Sequence, residues 1–262
     1  MKRRLSLLFA ALLISLTAVF ESGAMVYADK GPESAVFTNA EPLSANAGAS
    51  QALSAAGGRT IDPNKPMIAI TYDDGPQTDS GNRIMDAYLK AGQRCTFFVV
   101  GNRISSRASE VKRMADNGFE IGNHSWSHQY LNKCDAAAIR SEVSKCNEAV
   151  QKYAGVTPAV MRLPGGNKND TVLQNVNMPI ILWNVDTRDW EHRNAQKSVD
   201  SVLSHAKDGN IILMHELYSA TADATEIIVP ELVKRGFQLV TVSELAAYKG
   251  IQLNNNQIYY SF

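Results

Sequence analysis

A parallel α/β domain is the fold class this 262-residue sequence predicts, and three observations point to it. Short β-rich apolar runs alternate with helix-length stretches. Glycines stand where those stretches should stop. The candidate acids, bases and metal ligands nearly all fall just after an apolar run. Strands that alternate with helices pair in parallel, because each helical crossover returns the chain to the same edge of the sheet.

The elements follow in order. Lys2, Arg3 and Arg4 precede an apolar run over 5–20, and Val26-Tyr27-Ala28 has the spacing of a signal-peptidase site. Residues 1–28 therefore read as a secretory signal. An uncleaved anchor is the alternative, although the run falls short of the roughly 20 residues of a spanning helix. Residues 29–60 are rich in Ala, Ser, Gly, Asn and Pro without apolar period, the composition of a flexible linker. Strand-like runs then occupy 67–72, 95–100, 120–122, 159–163, 180–185, 210–214 and 238–242. Helical stretches lie near 80–91, 103–117, 135–153, 196–207, 221–235 and 243–249. Asp135 suits an N-cap, and Gly118, Gly209 and Gly236 suit helix stops. The segment 164–179 reads as loop. The domain is expected over 61–250, with 251–262 as a C-terminal tail. An open doubly wound sheet and a closed barrel both satisfy this pattern, and in both, ligands gather at the carboxyl ends of the strands.

Composition narrows the function. Lys+Arg and Asp+Glu both number 26, so the basic excess of a nucleic-acid binder is absent. Three cysteines are too few for a disulfide scaffold. Cys95 lies in an apolar run, the setting of a buried thiol. A bridge between Cys134 and Cys146 would need a loop that folds Cys134 back, because twelve helical residues span about 18 Å.

The candidate chemistry clusters after the strands: Asp73-Asp74 after the first run, His124 and His128 after the third, Arg162 to Gly166 around the end of the fourth, Asp186 to Trp190 after the fifth, and His215-Glu216 after the sixth. Two histidines four residues apart share one face of a helix or tight turn. With a carboxylate they form a set that leaves metal positions open to water. Two adjacent carboxylates repel, so both charges persist only with cationic partners. A metal on one and Arg162 on the other would provide them, leaving one ligand and one general base. His215 at the end of an apolar strand suits a general acid, with Asp189 the carboxylate to tune it. His192 and His205 lack such a setting and read as structural or exposed.

These ordered segments resemble the polysaccharide deacetylase family (NodB-homology domains, carbohydrate esterase family 4) over about residues 61–248. TYDDGP is similar to the first family motif except at the aromatic, HSWSH to the second, DTRDW to the fourth and ILMHE to the fifth. The resemblance implies a distorted seven-stranded (β/α) barrel. It implies a divalent metal on Asp74, His124 and His128, usually zinc, with cobalt, nickel or manganese as substitutes. It implies Asp73 as general base held by Arg162, and His215 as general acid tuned by Asp189. It also implies an oxyanion contact from the Gly165 N–H and a groove for the acetyl methyl lined by Trp190 and Leu213. The expected partner is a polysaccharide: peptidoglycan N-acetylglucosamine first, then chitin oligomers, then acetylated xylan. No obligate protein partner is expected, and the chain is expected to be a secreted, wall-associated monomer. An inactive glycan-binding domain is the non-enzymatic alternative. Two positions depart from the family. Gly165 stands where an aromatic is usual, which is expected to widen the cleft, and Glu216 stands where Asp is commoner.

Overall fold

The computed structural model describes residues 53–55 and 59–262. The signal-or-anchor reading of 1–28, and most of the linker reading of 29–60, lie outside the described residues. The end of that linker carries β1 (Leu53–Ala55) and β2 (Arg59–Ile61), paired antiparallel. Then come β3 (Met67–Gly75), α1 (Thr78–Lys90), β4 (Thr96–Val99), α2 (Gly101–Ile104), α3 (Ala108–Asp116), β5 (Glu120–Asn123) and α4 (Ala136–Ala154). They are followed by α5 (Asp170–Asn175), β6 (Ile180–Ile181), β7 (Val185–Asp186), α6 (Asp189–His192), α7 (Ala195–His205) and β8 (Ile211–His215). The chain ends with α8 (Ser219–Lys234), β9 (Gln238–Leu239), α9 (Val242–Tyr248) and β10 (Ile258–Tyr259). No helix among the described residues is long and apolar enough to cross a membrane.

All seven apolar runs enter parallel pairing, and the ladder curls into a distorted barrel. β3 lies between β8 and β4, β4 pairs β5, and β7 pairs β8. Between β5 and β6 the ring is completed by Met161 alone, which bridges Asn123 and Ile180. The fourth predicted strand is thus one residue of pairing between two prolines, Pro158 and Pro164, neither of which has an N–H to donate. β9 pairs the first two residues of β3 on the same side as β4, whose own pairing starts at Thr71.

Alternation along the strands sorts the core. Ile68, Ile70 and Tyr72 pack with Phe97, Val99, Ile212 and Met214 beneath the helices. Met67, Ala69, Phe98 and Ile211 face the other way, into a second cluster. A buried phenylalanine such as Phe97 stabilises the fold by about 3–5 kcal/mol against truncation to alanine. The hydroxyl of Tyr72 is satisfied inside this core by Tyr88 at 3.1 Å and Thr225 at 2.9 Å. That pairing allows a tyrosine at a fully buried position.

Local signals behave as their chemistry demands. Asp135 caps α4 through Ala138 N–H, and Gly118, Gly209 and Gly236 all adopt positive φ after helices. Two readings need correction. The segment 164–179 is not all loop: it holds α5, capped by Asn169, with one fully buried side chain, Val172. The helix near 103–117 is broken into α2, a 3-10 turn at Ser105–Arg107, and α3. Residues 251–262 also return to the sheet, where β10 extends β6 in parallel. All three cysteines are free thiols, so Cys134 and Cys146 are not bridged.

Candidate active site

The end of β3 is built to present two adjacent carboxylates to one cleft. Regular alternation would send Asp73 and Asp74 to opposite faces. The register with β4 slips between Asp73 and Gly75, and Asp74 takes a φ of +73°. This bulge, with aspartate tolerating the left-handed region, turns the second carboxylate back beside the first. Arg103 holds the Asp74 carbonyl from α2.

His124 and His128 come from the loop after β5, and that loop is not helical. Ser125 and His128 both have positive φ, and the Ser125 hydroxyl accepts the His128 N–H at 3.0 Å. Glu142 of α4 accepts the Ser127 N–H and hydroxyl at 2.8 and 2.9 Å, tying the loop to the helix. The two imidazoles end 4.9 Å apart between centroids.

The donor atoms of Asp74, His124 and His128 all lie within 4.8 Å of one another, and they fit a divalent cation. His124 Nδ1 donates to the Arg162 carbonyl at 2.8 Å, which leaves Nε2 with its lone pair directed at Asp74 Oδ1, 3.5 Å away. His128 Nε2 lies 2.9 Å from the same oxygen. Asp74 Oδ1 is buried without a hydrogen-bond partner, an arrangement a cation would satisfy. Burial alone would raise the Asp74 pKa, but the two histidines outweigh it and hold the carboxyl well below its usual range. Burial lowers the His124 pKa, and Asp73 and Asp74 reverse that into a net rise.

Asp73 Oδ2 lies 3.6 Å from His124 Nε2, while its other oxygen is held from behind. Arg162 is fully buried and donates to Asp73 Oδ1 at 2.8 Å, to Thr71 Oγ1 at 2.6 Å, and to the Ile181 and Leu182 carbonyls at 3.0 Å each. Its guanidinium lies 4.2 Å over the Phe98 ring. The pair is a short, charge-assisted contact shut away from solvent.

On the neighbouring strand β8, in register with Asp73, stands a third unit. Asp189 is 2% exposed and accepts from His215 Nδ1 at 2.8 Å, His215 N–H at 2.7 Å and Thr221 Oγ1 at 2.6 Å. Burial pulls the His215 pKa down, yet Asp189 wins and pushes it up to about 8. The ring nitrogen facing the cleft is therefore largely protonated at neutral pH. His192 bonds the Thr187 carbonyl and His205 bonds its own helix, so neither joins the site.

A cleft of about 410 Å³ connects these units and is lined further by Gly165, Trp190 and Leu213. It is not widened at Gly165. A Cβ there would lie 2.9 Å from Tyr130 Cε1 and 2.7 Å from Asn167 Nδ2, so these two side chains occupy the space. Tyr130 is 54% exposed, and its place two residues after His128 is the one signal in the sequence for it as a wall residue. Trp183 and Tyr218 complete the aromatic lining. Nothing in the local sequence marked Thr221 or Thr71.

Residues 60–178 match the family model described as polysaccharide deacetylase. The chain is 39% identical over 190 residues to the peptidoglycan-N-acetylmuramic acid deacetylase PdaC of Bacillus subtilis, covering 72% of this chain and 41% of that protein. It is 33% identical to a peptidoglycan-N-acetylglucosamine deacetylase of Bacillus cereus, covering 71% of this chain and 91% of the relative. A family 4 acetyl xylan esterase from Clostridium thermocellum, solved with a cobalt ion, superposes with a TM-score of 0.71 at 34% identity, covering 74% of this chain and 98% of that one. The chain spans about two fifths of the length of the first curated relatives it matches, 41% and 39%.

Proposed function

The chain belongs to the polysaccharide deacetylase family, and from that premise we propose that it hydrolyses the acetamide of N-acetylated sugars in a cell-wall polysaccharide, peptidoglycan N-acetylglucosamine first. One observation carries the reading. A charge-paired carboxylate, Asp73 with Arg162, and a carboxylate-paired imidazole, Asp189 with His215, line one cleft together with a candidate metal centre.

When bound by Asp74, His124 and His128, a divalent cation supplies Lewis-acid polarisation of the substrate carbonyl and lowers the pKa of a water molecule. Zinc suits two imidazoles and one carboxylate with open positions, and cobalt, nickel and manganese suit the same donors less selectively. Asp73, held in place by Arg162, accepts the water proton as the C–O bond forms. The Gly165 N–H serves as donor to the developing oxyanion, an interaction commonly worth about 3 kcal/mol. His215 gives its proton to the departing nitrogen as the C–N bond breaks, releasing acetate and a sugar amine. Trp190 and Leu213 flank the acetyl methyl. The protein would work outside the cell as a monomer, exported through the segment 1–28, without an obligate protein partner.

The test is acetate release from N-acetylglucosamine oligomers, from peptidoglycan fragments and from acetylated xylan, with and without a chelator. Release from the first two, lost on chelation and restored by zinc, is the expected result. Asp74→Ala should abolish both zinc retention and acetate release. Undiminished release by that variant would overturn the metal assignment. Release from xylan alone would move the reading to an ester, and release confined to muramic acid residues would move it along the glycan by one sugar.

A further inference from the structure

Glu216 follows His215 in β8 and is wholly buried, yet it takes no part in the chemistry above. It touches the end of β3 at one point and the start of α1 at two. Its N–H donates to the Asp73 carbonyl at 2.9 Å. Its own carbonyl accepts the Ser80 hydroxyl. Its carboxyl Oε1 accepts the Gln77 N–H at 2.7 Å, one of the free donors at the start of α1.

The carboxyl sits in a hollow made by two glycines. A Cβ on Gly75 would fall 1.7 Å from Oε2, and one on Gly81 would fall 2.1 Å from Oε1. Neither glycine has positive φ, so what requires them is space and not backbone angle. Gly81 lies inside α1, where glycine costs about 1 kcal/mol relative to alanine. That cost is accepted because the helix start must admit a carboxyl. Oε2 has no hydrogen-bond partner and is fully enclosed. An aspartate side chain, shorter by one methylene, would not span the distance from β8 to Gln77.

We infer that Glu216 is a positioning residue: its side chain, seated between Gly75 and Gly81, locks the Asp73-Asp74 loop and the start of α1 to the strand that carries His215. The lock holds the metal-binding carboxylate, the base and the acid in one register. It also gives the extra methylene of Glu216, against the family's commoner aspartate, a use: it carries the carboxyl to the Gln77 N–H.

The inference deepens the proposed function, but its first readout needs no substrate. Zn²⁺ affinity is measured by competition with a chromophoric chelator on the full chain. Glu216→Gln keeps the shape and the Gln77 contact and should bind Zn²⁺ within about twofold of the parent. Glu216→Asp and Glu216→Ala should weaken Zn²⁺ by about 10- to 100-fold, the range for partners that orient a metal ligand. Gly81→Ala should weaken it similarly, and Gly81→Ala combined with Glu216→Ala should recover part of the loss, because the new methyl then has a hollow to enter. In turnover, Glu216→Asp should lower kcat at least tenfold with KM nearly unchanged. Circular dichroism and thermal melting of the zinc-free proteins check that each variant folds. Parent-like zinc affinity in Glu216→Asp, or strictly additive losses in the double variant, would overturn the lock. Absence of deacetylation with the zinc pattern intact would instead overturn the proposed reaction and leave the lock standing.

Discussion

Replacing Asp189 by Asn removes the carboxylate that sets the charge on His215 while keeping its shape. In the parent, Asp189 overcomes burial and raises the imidazole from 6.5 to about 8. That rise corresponds to about 2 kcal/mol of preference for the protonated ring, and with the His215 side chain 14% exposed, little of it is screened. Asparagine leaves the burial and removes the attraction, so the imidazole should fall to its ordinary value or below. At pH 7.5 the protonated fraction drops from about three quarters to about one tenth, an eightfold loss of the competent acid. The assay is kcat/KM for acetate release between pH 5 and 10 at saturating metal. The alkaline limb should move down by at least about 1.5 pH units, and the plateau should fall further because asparagine can also hold the wrong tautomer. A bound cation lowers the imidazole's proton affinity in both proteins alike, so the separation between the two profiles is the diagnostic. The same pair has a stability signature in the metal-free protein. A raised histidine pKa adds stability below pH 6.5 that is lost as pH rises through about 8, and Asp189→Asn should lack this component. Superimposable alkaline limbs would refute Asp189 as the group that tunes the acid.

Two further outcomes follow from the same geometry. Arg162→Met leaves Asp73, 4% exposed, without its cation, and should cost about 3–5 kcal/mol; thermal melting should fall by about 6–20 °C for a domain of this size. Gly165→Ala places a methyl on Tyr130 and Asn167 at a φ of +63° and should cost about 1–2 kcal/mol; steady-state kinetics should show a lowered kcat together with a raised KM for oligomers, since the strained turn carries both the oxyanion donor and part of the sugar-binding wall.

Some elements were legible because their signal is local. Met67 to Tyr72 is apolar almost throughout, as a strand buried on both faces requires, and the structure divides its side chains between two core clusters. Asp135, Gly118 and Gly236 mark helix ends by capping chemistry that depends on one residue and its nearest backbone. α5 escaped notice because six residues with a single fully buried side chain leave no helical period to read. The fourth strand was overcalled for the opposite reason: an apolar run over 159–163 is buried throughout its later part, yet only Met161 finds partners on both sides.

The sequence by itself determined which chemical groups stand at the strand ends, and in what order: Asp73, Asp74, His124, His128, Arg162, Asp189 and His215. In a parallel α/β chain that position alone collects them at one end of the sheet. Tertiary structure decided how they divide the work. The bulge at Asp74 turns two neighbouring carboxylates into one cleft, Arg162 crosses the barrel to claim Asp73, and Tyr130 fills the space left open at Gly165. Glu216 meets Gly75 and Gly81 across some 140 positions of chain, as its 139-residue span to Gln77 shows. The physical reason is common to all four. Each depends on a backbone angle or a close approach between distant segments, and local periodicity carries information only about which face a side chain takes, not about what stands opposite it.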